Sequence, residues 1–288
     1  MFPVIAFLSF GLRQSVPLIF ASLGGVCSER SGVVNIGLEG MMLTGAFVSI
    51  AVANATGSVV VGVLAAIAAG GLLGGLHALV TVTFKADQIV SGVAINLLAM
   101  GLTAFIPEAL YGRSDIGSEC PVPTIAGFTP LVFLAIAAVV VAHLALFKTS
   151  WGLRLRSVGE NPEAADSLGI SVTRMRYYGV ILSGALAALG GVYLSLDQSG
   201  SFYKVMTGGK GFIALAAMIF GNWTPFGALG ASMLFGFADA AQGQVQLLGY
   251  AIPPQIPQMI PYILTIAVLA GFVGRALPPA ADGKPYEK

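Results

Sequence analysis

The sequence predicts an all-α, polytopic membrane protein, a helical bundle formed by one transmembrane domain over residues 1–288. Three observations predict it. Of the 288 residues, 56% are hydrophobic and only 9% are charged, against roughly 25% charged in a soluble domain. The 38 glycines suit helices in lipid, where glycine is commoner than in soluble helices. Stretches without a formal charge recur at 59–84, 88–106, 127–147 and 177–196, each close to the ~20 residues that cross about 30 Å of hydrocarbon. No remaining segment is long enough to fold as a soluble domain.

Taken in chain order, the first apolar stretch runs from Phe2 to Val26 and is interrupted by Arg13 and Gln14. It lacks a basic start and a small-residue cleavage pattern, so it reads as part of the bundle and not as a removable signal. Residues 28–40, SERSGVVNIGLEG, lie between apolar runs 15–27 and 41–53. Glu29, Arg30, Asn35 and Glu39 are all costly in lipid. Either this is a loop joining two spans, or it is a broken helix lining a polar cavity, as transporters build near the midplane. Residues 211–238 form an uncharged run cut by Gly221-Asn222-Trp223-Thr224-Pro225. The first piece, 211–220, would rise only about 15 Å as a helix, which predicts a pair of short helices or a re-entrant hairpin. The last candidate span is 258–274, ending at Arg275. The expected total is about eight spans, within a range of roughly seven to ten.

Lys and Arg in short loops set the orientation. The 148–176 segment holds Lys148, Arg154, Arg156, Arg174 and Arg176, and the end of the chain adds Arg275, Lys284 and Lys288. The 107–126 loop has Arg113 against Glu108, Asp115 and Glu119. Loop 148–176 and the C-terminus are therefore expected in the cytoplasm and 107–126 outside. Lys204 and Lys210 fall on the outer side in this arrangement.

The amphipathic segment 148–176 carries helix-end signals. Asn161 suits an N-cap and Pro162 the first helical position. Glu163 would sit in the first turn, at the positive end of the helix dipole. Gly169 can take the left-handed conformation that ends a helix. A short helix over 162–168, parallel to the membrane surface, is predicted. A solvated linker does not need caps at both ends, which favours a docking helix.

Within the bilayer, Glu39 stands among Gly37 and Gly40. An intramembrane carboxylate marks a functional site by default; the other reading makes it a structural partner of Arg30 or of a helix N-terminus. Asn96, His77 and His143 are lone polar groups in spans, and the histidines read as packing residues before proton relays. Asp239 closes an apolar run. Gly70, Gly71, Gly74 and Gly75 form two overlapping small-xxx-small repeats, a helix-packing device.

Several functions are excluded. A net charge of +1 gives no basic surface for nucleic acid. Cys27 and Cys120 suggest no disulfide framework, and two Cys and two His at 27, 77, 120 and 143 have no metal-ligand spacing. TGGKG at 207–211 fails as a phosphate loop, because Lys210 precedes Gly211 and not Ser or Thr. With no Ser–His–Asp or HExxH pattern either, no catalytic residue is assigned and the chain binds no cofactor of its own.

Four blocks carry a family resemblance. SGVVNIGLEGMMLTGAF (31–47) resembles the hallmark of permeases in bacterial ABC importers for simple sugars, branched-chain amino acids and nucleosides. GENPEAADSLGISVTRMRYYGVILSGALAALGG (159–191) resembles the cytoplasmic coupling loop of that family and the span after it. ADQIVSGVAINLLAMGLTAF (86–105) and GGKGFIALAAMIFGNWTPFGALGASMLFG (208–236) are similar to its nucleoside branch, of purine or guanosine type.

The resemblance implies an inner-membrane permease of the type II class that takes up nucleosides by alternating access. Partner ATPase subunits would hold ATP and Mg. A second permease, more in keeping with a heterodimer than a homodimer, and an extracytoplasmic binding protein or lipoprotein would complete the importer. Carried onto this chain, the coupling contact centres on Gly159, Glu160, Asn161, Pro162, Ala165 and Gly169. The substrate path is lined near Asn35, Gly37 and Glu39, with Asn96 as a neighbour. Asn35 and Asn96 would then read base or ribose edges, and Glu39 would brace the broken helix. Related permeases often carry a fuller first span than Met1–Arg13 offers. From physics alone, a simple sugar or a branched-chain amino acid fits as well as a nucleoside. An ion-coupled secondary transporter is the alternative class, with Glu39, Asp239 and the histidines as coupling groups. No convincing internal repeat and few ionisable residues in the spans stand against it.

Overall fold

The computed structural model describes residues 2–125, 127–247, 259, 263, 266 and 276–287. The described backbone forms ten α-helices and one two-stranded ribbon. Six helices are long and apolar enough to cross a membrane: Val4–Glu29, Leu38–Thr56, Val59–Thr83, Gln88–Tyr111, Pro130–Lys148 and Val172–Ser199. They belong to α1 (Phe2–Glu29), α2 (Leu38–Thr56), α3 (Val59–Ala78), α4 (Gln88–Tyr111), α5 (Pro130–Lys148) and α8 (Val172–Val192). The third and sixth run on through π-helical turns at Leu79–Thr83 and Tyr193–Ser199. Between α5 and α8 lie α6 (Ser150–Glu160) and α7 (Pro162–Ser167), and after α8 come α9 (Lys210–Phe220) and α10 (Pro225–Leu247). Strands β1 (Ile116–Gly117) and β2 (Ser201–Phe202) pair antiparallel.

Two expectations change. Arg13 and Gln14 do not interrupt the first helix, because each polar group has a partner. The Arg13 guanidinium donates to the Gly127 carbonyl and lies over the Phe128 ring, and Gln198 donates to Gln14 Oε1 at 2.9 Å. The short first span is thus one 28-residue helix. Asp239 does not close its helix: α10 continues to Leu247, and Lys210 Nζ lies 2.7 Å from Asp239 Oδ2. The span count is six among the described residues; α10 is long enough but carries Asp239, Gln242 and Gln244. The expected span 258–274 lies outside the described residues except at 259, 263 and 266.

The core sits on α1, α2 and α8. Ile19, Phe20 and Leu23 of α1, Met41, Met42 and Ile50 of α2, and Ala187 and Val192 of α8 are all buried in one cluster. The sixth span is 78% buried and the second 67%, whereas the third is 22% and the fifth 28%, so α3 and α5 are peripheral. The attachment of α3 depends on close backbone approach, since lipid provides no hydrophobic drive between helices. Gly70 and Gly74 achieve it: a Cβ on either would collide with the Gly184 or Val180 carbonyl of α8. The glycine repeat is therefore the α3–α8 seam, carried by Gly70 and Gly74, while Gly71 and Gly75 face Ile181 at ordinary contact distance.

The two ends of the bundle differ in charge. At one end, the 112–120 loop meets the end of α2 through Asn54 Nδ2 to the Gly117 carbonyl at 2.8 Å, and Arg113 and Lys204 are its basic residues. At the other, the hairpin end, α6 and α7 gather with Arg30, Lys85 and residues 276–287.

Candidate translocation and coupling sites

The α6–α7 hairpin is built from local capping. Thr149 Oγ1 accepts the Gly152 N–H at 3.1 Å and starts α6, a helix that the sequence left within one amphipathic segment. Asn161 Oδ1 accepts the Ala164 N–H at 3.0 Å, with Pro162 at the first helical position of α7. Gly169 has φ +78°, and Ile170 N–H returns to the Ala165 carbonyl at 3.1 Å, closing the helix in the left-handed manner. Ala165, 2% exposed, packs with Val158 and Val172. The predicted short capped helix is present, ending at Ser167.

The hairpin is seated on the turn after α1. Gly159 lies so close to the Arg30 carbonyl that a Cβ there would overlap it, and Arg30 Nη1 is 3.8 Å from Glu160 Oε1. Arg30 Nε also donates to the Trp223 carbonyl at 2.8 Å, in the α9–α10 turn. The Trp223 indole N–H donates to Glu29 Oε2 at 2.5 Å. Asn222 and Trp223 both have φ near +52°, a conformation that costs L residues roughly 1–2 kcal/mol each. The two bonds to Glu29 and Arg30 hold that turn in place.

Beyond Arg30, the chain leaves helical geometry until Leu38. The non-helical stretch is largely buried and fastened to α3, α4 and α8. His77 Nε2 lies 2.9 Å from the Val34 carbonyl and His77 Nδ1 2.9 Å from Ser91 Oγ. Gln88 Oε1 accepts the Val34 N–H at 2.7 Å. Asn35, fully buried, donates to Ser183 Oγ at 2.9 Å and accepts the Gly37 N–H at 3.0 Å. Asn96 accepts the Gly40 N–H at 2.8 Å and donates to the Ile36 carbonyl at 3.0 Å. Asn35, Gly37, Glu39 and Asn96 thus meet in one cluster. Both ends of both amides are taken up within the chain.

Glu39 completes the cluster by reaching α9. Its Oε1 accepts the Gly209 N–H at 2.8 Å and its Oε2 the Gly211 N–H at 2.6 Å. Those amides are among the donors a helix start leaves unpaired, and the carboxylate meets the positive end of the dipole. Of the two readings of Glu39, its partner is a helix N-terminus and not Arg30. α9, about 16 Å long from its 11 residues at 1.5 Å each, therefore runs from Glu39 at its start to Glu29 and Arg30 at its end.

Sequence reasoning found Asn35, Glu39, Asn96 and the α7 caps. It missed Gln88 and Ser183, ordinary polar residues in apolar helices, and the roles of Trp223 and the Lys210–Asp239 pair. The signal for Trp223 was its place in the break at 221–225.

Residues 7–269 match the family model described as the branched-chain amino acid transport system / permease component. The guanosine ABC transporter permease protein NupQ of Bacillus subtilis is 45% identical over 96% of this chain and 95% of its own. The nucleoside ABC transporter permease protein NupC of Lactococcus lactis is also 45% identical, with the same coverage. The putative glucose ABC transporter permease protein TsgC13 of Haloferax volcanii is 35% identical over 90% of this chain and 89% of its own. No solved structure matches. A match over nearly the whole chain, on a bundle of six apolar helices with a capped hairpin at its basic end, makes this chain a member of the branched-chain amino acid transport system / permease component family: a membrane permease, not an enzyme.

Proposed function

We propose that this chain forms the translocation path for nucleosides in a bacterial inner-membrane ABC importer, with ATP hydrolysis on separate subunits. One observation carries the mechanism. A continuous series of contacts leads from the α6–α7 hairpin through Gly159–Arg30 and Trp223–Glu29 to α9, and from α9 to Glu39 in the buried 33–40 segment. A displacement of the hairpin by a docked ATPase therefore reaches the bundle interior through rigid elements, which alternating access requires. Nucleosides as cargo are supported by the names of the two relatives at 45% identity. A neutral nucleoside also suits a path with no free countercharge in the cluster.

In this reading the hairpin end is cytoplasmic, supported by Arg30, Lys85, Arg154, Arg156, Arg174 and Lys284 there against Arg113 and Lys204 at the other end. Residues 203–209 and α9 form a re-entrant segment descending to Glu39. With α10 and 258–274 as spans, the chain crosses about eight times. A second permease, two ATPase subunits and an extracytoplasmic binding protein complete the importer. Asn35, Gly37, Glu39 and Asn96 shape the wall of the path by holding the 33–40 segment, and substrate passes along the surface they fix.

The test is uptake of labelled guanosine or adenosine by vesicles carrying all the subunits, with and without ATP, against excess ribose and leucine. ATP-dependent uptake blocked only by nucleosides is expected. Competition by ribose or leucine would move the cargo to a sugar or an amino acid. Uptake that follows a proton or sodium gradient without ATP would overturn the importer reading.

A further inference from the structure

Residues 276–287 form a strap across the hairpin end that neither the coupling motif nor the substrate cluster includes. The Leu277 N–H donates to Asn222 Oδ1 at 3.2 Å, in the α9–α10 turn. The Ala280 N–H donates to Glu160 Oε2 at 3.2 Å, and the Ala281 N–H to the Gly159 carbonyl at 2.9 Å. Arg176 Nη1 of α8 donates to the Lys284 carbonyl at 2.9 Å. The Asp282 carboxyl shares a hydrogen bond with Glu29 at the end of α1, and Tyr286 packs on Val158, Ala165 and Val172. The strap thus touches α1, α6, α8 and the α9–α10 turn within twelve residues.

Between strap and hairpin lies a cleft of about 610 Å³. Asn161, Pro162 and Glu163 form one wall, and Lys284, Pro285 and Glu287 the other. Of the residues to which the coupling contact is assigned, only Glu160, Asn161 and Pro162 line that cleft, all on one wall. A segment that enters beside Pro162 must also touch the strap. The strap in turn is bonded to Asn222 and Glu29, the groups that fix the lower end of α9.

We propose that the strap 276–287 is the second wall of the ATPase seat and a direct tie from that seat to α9. The occupant is a segment of the ATPase subunit; the exposed Glu163 on the hairpin wall suits one that carries Lys or Arg, while Glu287 on the strap wall already lies 3.8 Å from Lys85 Nζ. The inference rests on the reading that α7 docks an ATPase. Docking then moves two segments of this chain together: α7 through its own helix, and the α9–α10 turn through the strap. Coupling between sites of this kind is worth roughly 5- to 150-fold.

The experiment uses the complete importer in inverted membrane vesicles, with Cys120→Ser to remove the more exposed of the two native thiols. Glu163→Cys and Glu287→Cys are introduced separately, labelled with a maleimide-benzophenone and irradiated, so that the photoreactive arm inserts into C–H bonds of whatever segment lies beside the label. Both are expected to give a permease–ATPase product. A product from Glu163→Cys alone would overturn the strap's part in the seat and leave α7 docking intact. Products from neither, in a complex that still copurifies, would overturn the docking reading itself. Tyr286→Ala provides the functional arm: uptake per ATP hydrolysed is expected to fall about tenfold, with Tyr286→Phe close to the parent. Unchanged uptake per ATP in Tyr286→Ala would overturn the tie to α9, and the cross-linking arm decides the seat should that variant fail to assemble.

Discussion

Glu39, in the first turn of α2, holds the first turn of α9 with both of its carboxylate oxygens, taking the Gly209 and Gly211 amides at 2.8 and 2.6 Å. A buried glutamate in a permease invites the idea of ion coupling, but here the charge is spent on a helix start. Charge-assisted bonds of this kind are worth roughly 1.5–3 kcal/mol each, and the helix dipole adds to them. Glu39→Ala should therefore abolish uptake and lower the thermal midpoint of the purified protein in detergent. Glu39→Gln keeps one acceptor without the charge and should fall between. A proton-coupling role would instead leave stability unchanged in Glu39→Gln.

Asn35 and Asn96 make a second prediction, because each uses both ends of its amide on neighbours 2.8–3.0 Å away. Asn35→Ala and Asn96→Ala should each cost about 1–3 kcal/mol, the penalty for leaving buried partners unpaired. Transport should weaken while the subunits still assemble. Since neither amide is free, guanosine and adenosine uptake should fall by the same factor. A changed ratio between the two would mean that the amides touch the base.

Two glycines of the hairpin separate contact from conformation. A methyl group at Gly159 collides with the Arg30 carbonyl, so Gly159→Ala should lift α6 from the turn after α1 and uncouple ATP hydrolysis from uptake. Gly169 has open space around it but a φ of +78°. Gly169→Ala should cost about 1–2 kcal/mol of local strain and reduce uptake only mildly. Measuring ATPase rate and uptake on the same vesicles distinguishes the two effects.

Such local features were the ones legible in the sequence. The N-cap at Asn161, the proline after it and the glycine at 169 act within one turn of chain, so their spacing alone specifies α7. The Gly70–Gly74 repeat reads as a packing seam because only small residues permit the approach, although nothing in the sequence names α8 as the other face. Glu39 was legible as an anomaly, but its partners lie 170 and 172 positions away, and no local pattern fixes such a distance. Lys210 and Asp239 each read as an interfacial charge; only the reversal of direction between α9 and α10 brings them to 2.7 Å. Arg13 misled because an arginine in an apolar run reads as a break, whereas a carbonyl and an aromatic ring from the 127–128 turn accommodate it.

The strap supplies a pH prediction whose sign follows from its anchor. Burial pushes the Asp282 carboxyl up to about 7, against the opposing effects of its hydrogen bond with Glu29, the Gly283 N–H and the positive Arg176. A released strap returns Asp282 to the ordinary carboxylate range near 3.8. Between those values the docked strap binds one more proton than the released one. Docking is therefore strongest at the acid side and weakens as pH rises through about 7, by at most ~1.4 kcal/mol per pH unit. Above that, the docked Asp282 is also ionised and the dependence levels off. The groups that face Asp282 are Glu29 of α1 and Arg176 of α8, and the proton lost is the Asp282 carboxyl's own. With Glu287→Cys as reporter, maleimide labelling, divided at each pH by the rate for a free thiol because the thiolate is the nucleophile, should speed up between about pH 4 and 7. Asp282→Asn, which cannot ionise, should flatten that profile, and a rise that persists in Asp282→Asn would assign the titration to another group.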